Sequence, residues 1–141
     1  MSSMKYRPSV SKKNKYWISK HRFYEISHHC LQYAEWKDEL RNLQASIGVK
    51  AVKMDGMPHG TEVGSPTESI ALRIYDLEEK IKRVEDAAYE SDPVIEKFIL
   101  KAVTNDGITF NYLKNVMGIP CEKDMYYDRR RKFYWIMSQK M

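Results

Sequence analysis

Residues 65–88 read SPTESIALRIYDLEEKIKRVEDAA. Within them Ile70, Ile74, Leu77, Ile81, Val84 and Ala88 recur at steps of 4, 3, 4, 3 and 4, the spacing that lines one face of an α-helix. The start is marked chemically. Ser65 is a capping residue, Pro66 suits a first turn whose N–H groups have no intrahelical acceptor, and Glu68 sets negative charge against the positive end of the helix dipole. Glu78, Glu79, Glu85 and Asp86 take outer positions and meet Lys82 and Arg83 at helical spacing, which predicts a solvated, internally paired face.

Working back toward the N-terminus, a second amphipathic stripe appears. Ile26, Tyr33, Leu40 and Ile47 recur every seven residues, and His29, Trp36 and Leu43 fill the offsets of three, with Cys30 beside them. Between the stripes, residues 48–66 hold four glycines and two prolines, a flexible connection long enough to reverse the chain. Its Gly-Met-Pro-His-Gly-Thr-Glu-Val-Gly run lacks the Gly-Lys-Ser/Thr ending of a phosphate-binding loop. Two such helices bury their stripes most simply against each other as an antiparallel hairpin, and a coiled-coil dimer is the competing use of the same seam. Strand signals are nearly absent, so the fold class expected is all-α.

Beyond Tyr89 the helices shorten. Asp92-Pro93 is an N-cap followed by a first-turn proline, and Ile95, Phe98, Ile99, Ala102 and Val103 carry a helix to Asn105-Asp106-Gly107. Thr109 caps a short helix through Tyr112, Leu113 and Val116, which Gly118 ends; Pro120 then leads into a last helix through Tyr126, Phe133 and Met137. Three helices with a short middle one, a glycine turn and a basic aromatic third helix spell a helix-turn-helix over 91–141. Leu113, Met117 and Ile119 take its apolar contact positions. Lys114 replaces the usual small residue, Pro120 follows the turn, and Asp124 stands at an expected apolar position. A lengthened turn would pass that role to Met125 or Tyr126.

With Phe133 at the centre of the buried face, Met125, Tyr126, Ile136 and Met137 lie near it, while Asp124, Tyr127, Asp128, Arg131 and Trp135 face away. The residues expected to bind double-stranded DNA are accordingly Lys114, Lys123, Asp124, Tyr127, Arg130 and Arg131. Lys123, Asp124 and Tyr127 would read base edges, and Arg130 and Arg131 would reach guanine or phosphate. Arg129 sits nearer the buried side, as a packing or ion-pair residue. The run Phe133–Met137 is apolar on all sides, so either the hairpin covers it or Trp135 joins a dimer or polymerase contact.

Charge agrees with a polyanion partner. The chain carries 24 Lys and Arg against 19 Asp and Glu, a net +5. Residues 1–24 hold seven basic side chains and no acidic one, 62–96 hold ten acidic and four basic, and basic residues return in 121–141. Basic tracts interleaved with aromatics (Tyr6, Tyr16, Trp17, Tyr126, Tyr127) suit nucleic acid through counterion release and stacking. Residues 1–15 read as a basic, disordered arm. No apolar run approaches the ~20 residues of a membrane span, and Met-Ser-Ser-Met-Lys-Tyr-Arg-Pro is no secretory leader, so a soluble cytoplasmic protein is expected.

Enzymatic constellations are wanting. Cys30 and Cys121 lie 91 positions apart and match neither a disulfide framework nor a zinc motif. His21, Glu25 and His29 share a helical face, but their span of eight residues is long for one ion. No cofactor, no metal and no catalysis are expected.

The layout resembles the RinA/ArpU-like regulators of phages and prophages of Gram-positive bacteria, over about Tyr16 to Tyr134. The resemblance rests on Cys30-Leu31-Gln32-Tyr33-Ala34-Glu35-Trp36-Lys37, the Gly-rich loop, Ser65-Pro66-Thr67, the Lys80–Ala88 helix, Tyr112-Leu113-Lys114, Ile119-Pro120-Cys121 and Tyr126-Tyr127-Asp128-Arg129-Arg130-Arg131-Lys132-Phe133. It implies a helical DNA-binding regulator of late or packaging genes whose C-terminal unit looks like the promoter-reading part of a sigma factor. The organisation expected is a basic arm over 1–15, a helical hairpin over 16–90 for oligomerisation or RNA polymerase contact, and a helix-turn-helix over 91–141. The rival class is a protein-interaction or assembly factor that uses the hairpin and the C-terminal aromatics.

Overall fold

A computed structural model of the chain describes residues 12–53 and 66–141, side chains excepted at 48–53. The described residues form six helices and no strand: α1 Lys20–Cys30, α2 Tyr33–Lys53, α3 Pro66–Ser91, α4 Glu96–Thr104, α5 Phe110–Asn115 and α6 Lys123–Lys140. The fold class is all-α. The basic arm up to residue 11 and the glycine-rich run 56–64 lie outside the described residues.

Three boundaries differ from expectation, each for a local reason. The first stripe spans two helices, because Leu31 and Gln32 turn the chain: Gln32 N–H donates to His29 C=O, a bond three residues back that tightens the last turn. A seven-residue repeat steps over such a break without recording it. Helix α2 then continues through Gly48 to Lys53, since one interior glycine costs about 1 kcal/mol and does not stop a helix by itself. Finally, α4 begins at Glu96 rather than Pro93. Asp92 Oδ1 accepts the Val94 N–H at 2.8 Å, so Asp92 closes a turn, and Ile95 C=O accepts the first helical bonds.

The chain divides into two units, the residues to Tyr33 with Arg83–Met141, and Ala34–Lys82. The border expected at residues 90 and 91 falls inside the first of them. In that unit α1, α4 and α6 pack mutually. Their buried faces supply Phe23, Ile26 and Cys30 from α1, Phe98, Ile99, Ala102 and Val103 from α4, and Tyr126, Phe133, Tyr134 and Met137 from α6. Burial of these faces, at about 25 cal/mol per Å² of apolar surface, is the main favourable term. Polar ties lock the set: Arg22 Nη2 donates to Ser138 C=O at 3.1 Å, and Lys140 Nζ lies 2.9 Å from Glu90 Oε2. The Tyr33 hydroxyl donates to the Glu85 carboxylate.

In the second unit, Arg73 of α3 forks onto the Glu39 carboxylate of α2 at 2.6 and 2.9 Å, and Lys80 Nζ stands 6.0 Å above the Trp36 ring. Leu77, Ile81 and Trp36 are buried. Among the described residues no helix is long and apolar enough to cross a membrane.

The first unit's core holds three protons that folding protects. Burial pushes the Cys30 thiol from 9.0 up to about 12. Burial also raises the Tyr134 hydroxyl above its ordinary 10.0, with Arg130 opposing, and raises that of Tyr33, where the hydrogen bond to Glu85 adds to the effect. All three groups have folded values above their unfolded ones, so their stabilisation is complete below pH 9.0 and is lost as pH rises past 9.0 and 10.0. The urea midpoint should therefore stay level into mildly alkaline solution and fall from about pH 9 upward. Cys30→Ala and Tyr134→Phe should each make that fall shallower; an identical decline in both variants and the parent would contradict the assignment.

Candidate nucleic-acid interface

Helix α5 is six residues long and owes its place to its ends. Thr109 Oγ1 accepts the Tyr112 N–H at 3.2 Å as N-cap, and the Leu113 side chain beneath is fully buried. The exit is set by Gly118, whose φ of +72° is readily available only to glycine. That turn lets Ile119 N–H return to Leu113 C=O at 2.9 Å and buries Ile119 under the corner. The chain then runs to Glu122, the N-cap position of α6. On the core side, Phe110 meets Tyr126 with ring centroids 5.7 Å apart. Tyr126 is buried while Asp124 and Met125 are exposed, so the apolar role at the start of α6 falls to Tyr126.

The outer surface of this corner is polar and basic. Asn111, Tyr112, Lys114 and Asn115 of α5 are exposed, as are Lys123 and Asp124 in the first turn of α6. Cys121 sits between the helices. Burial raises its thiol, Asp92 adds to that rise and Lys114 opposes it. Lys114 on α5 and Lys123 and Asp124 in the first turn of α6 are each open to solvent.

The remaining expected residues are placed differently. Tyr127 is half-buried with its ring edge-on to Tyr126 at 4.9 Å. Arg131 is half-buried, and its buried Nε has no hydrogen-bond partner among the described residues. Arg130 is a core residue rather than the surface one expected. It is 7% exposed, and its guanidinium carbon lies 5.7 Å from the Phe23 ring centre and 5.2 Å from that of Tyr134. This is a cation held between core aromatics. Helical arithmetic sets it at the edge of the stripe; packing of α1 against α6 turns that edge inward. Arg129 is an ion-pair residue as expected, with Nε 3.1 Å from Asp92 Oδ2 and Nη1 2.6 Å from Asp128 Oδ2.

A contact missed by sequence reasoning ties the N-terminal segment to this unit. The Tyr16 ring packs on Trp135 of α6 with centroids 5.8 Å apart. Aromatic residues inside the basic run Lys12-Lys13-Asn14-Lys15-Tyr16-Trp17 are the signal the sequence offers, but which ring they meet is a matter of tertiary packing. Among the described residues no group of three side chains could hold a metal ion.

Set against known proteins, the chain matches no family model, no curated protein and no solved structure.

Proposed function

We propose that the chain is a DNA-binding transcriptional regulator of the phage and prophage type, RinA/ArpU-like in layout, reading double-stranded DNA with the corner formed by α5, the Gly118 turn and the first turn of α6. The observation that carries this reading is the open basic surface of that corner, Lys114 with Lys123, over the buried Leu113, Ile119 and Tyr126. A helix-turn-helix needs this combination, with apolar contacts fixing the second helix and exposed polar groups at its N-terminal end. Beyond that turn, residues 127–138 of α6 are half-buried or buried, so base contacts are restricted to the helix start. The paired ends of α2 and α3 serve as the hairpin that contacts RNA polymerase or a second copy in a host cytoplasm.

The test is retention of a fluorescent duplex library across a range of salt concentrations. The parent should bind with affinity falling steeply as salt rises, and Lys114→Ala/Lys123→Ala should lower the slope by about 2, at ~0.9 for each phosphate no longer neutralised. Far-UV circular dichroism should show both proteins equally helical. Retention indifferent to salt, or equal in both proteins, would turn the balance to the second reading, an interaction or assembly factor. The observation favouring that one is Leu72 and Tyr75 on α3, 65% and 64% exposed and off the buried seam.

A further inference from the structure

The N-terminal segment is shaped and anchored. Asn14 Oδ1 accepts the Tyr16 N–H at 2.8 Å and Asn14 C=O accepts the Trp17 N–H at 3.0 Å, closing a tight turn. Lys12 Nζ lies 5.8 Å from the Trp17 ring centre and Lys15 Nζ 4.9 Å from that of Tyr16. Tyr16 is the ring that packs on Trp135. A few residues on, Arg22 holds the start of α1 to the Ser138 carbonyl in the last turns of α6.

These ties bring two basic clusters together. Arg131 precedes Trp135 by four residues and so shares its face of α6, and Lys132 flanks it. Lys12, Lys13 and Lys15 are exposed beside the same tryptophan's partner. Asp128 pairs with Arg129 Nη1 at 2.6 Å, and Glu25 with Arg22. The Nε of Arg131 has no acceptor among the described residues. Of the large apolar residues exposed among the described residues, none falls in 12–22 or 127–138. The patch thus offers charge with its aromatic side chains half-buried, which suits a phosphate backbone better than a bilayer or an apolar groove.

We infer that Lys12, Lys13 and Lys15, held on α6 by the Tyr16–Trp135 contact and joined by Arg131 and Lys132, form a second DNA contact that grips backbone phosphates flanking the site read by the α5–α6 corner. This rests on the DNA-binding reading above. From Lys123 to Trp135 is twelve residues, about 18 Å along a helix at 1.5 Å per residue. The two contacts are thus well separated along α6, and one made to phosphates adds affinity without reading sequence.

The experiment measures affinity of the full chain for one bound duplex across a salt series. The variants are Lys12→Gln/Lys13→Gln/Lys15→Gln, Tyr16→Ala, Tyr16→Phe and the Lys114→Ala/Lys123→Ala pair, each checked for helicity. The triple variant should lower the salt slope by about 2 to 3, at ~0.9 per phosphate, with the ranking of duplex sequences unchanged. Tyr16→Ala keeps every charge but frees the segment, and should weaken binding several-fold, with Tyr16→Phe restoring it. An unchanged slope in the triple variant overturns the second contact while leaving the corner in place. A lowered slope there, with the corner pair binding as the parent does, upholds it and removes the corner. A parent that binds no duplex overturns both.

Discussion

Phe133→Ala is expected to remove about 3–5 kcal/mol of folding stability, the range for emptying a large aromatic from a packed core. Phe133 is fully buried midway along α6, edge-on to Tyr134 with ring centroids 5.2 Å apart. It sits in the helix that packs on both α1 and α4, so the damage falls on the element those two helices share. Against a typical total of ~5–15 kcal/mol, the variant would be largely unfolded or close to it at physiological temperature. Urea unfolding followed by circular dichroism measures the change. Val116→Ser serves as the control: Val116 is 66% exposed on the corner, and substitution there should shift stability by no more than about 0.5 kcal/mol. Equal midpoints for the two variants would show that α6 is not the centre of the unit.

The second large effect concerns Arg130 and separates a core role from a groove role. Arg130→Ala should cost about 2–4 kcal/mol, since it leaves a cavity between Phe23 and Tyr134 and removes a desolvated cation–π interaction. Arg130→Met replaces the guanidinium by an apolar chain of similar reach. Apolar volume refills the space between the two rings, so this variant should lose less stability than Arg130→Ala and bind DNA as the parent does. A groove-reading arginine would instead lose affinity in both variants while costing little stability in either. Unfolding curves and duplex binding on the same two variants decide the point, and a folded Arg130→Met that no longer binds would return Arg130 to the interface.

Part of this molecule is written in local chemistry. The 4-3 spacing of Ile70 to Ala88 predicts α3, and the Thr109 cap and Gly118 turn predict the borders of the corner; each depends on neighbours within a few positions, which periodicity, caps and a left-handed glycine encode directly. The exposure of Lys114 and Lys123 is legible for the same reason, since polar residues off an apolar stripe face water.

Tertiary packing decides the rest. A heptad repeat says that Ile26 and Tyr33 share a stripe but not that the helix turns at Leu31 and Gln32, with α1 packing on α4 and α6 while residues from Ala34 belong to another unit. Arg130 and Arg131 are identical in composition and adjacent in the chain. Only the approach of Phe23 makes one of them a core cation and leaves the other half at the surface. Likewise, Tyr16 finds Trp135 across more than a hundred residues. Side-chain type fixes what a residue can tolerate, and which neighbour it meets is set by the global arrangement that buries the most apolar surface.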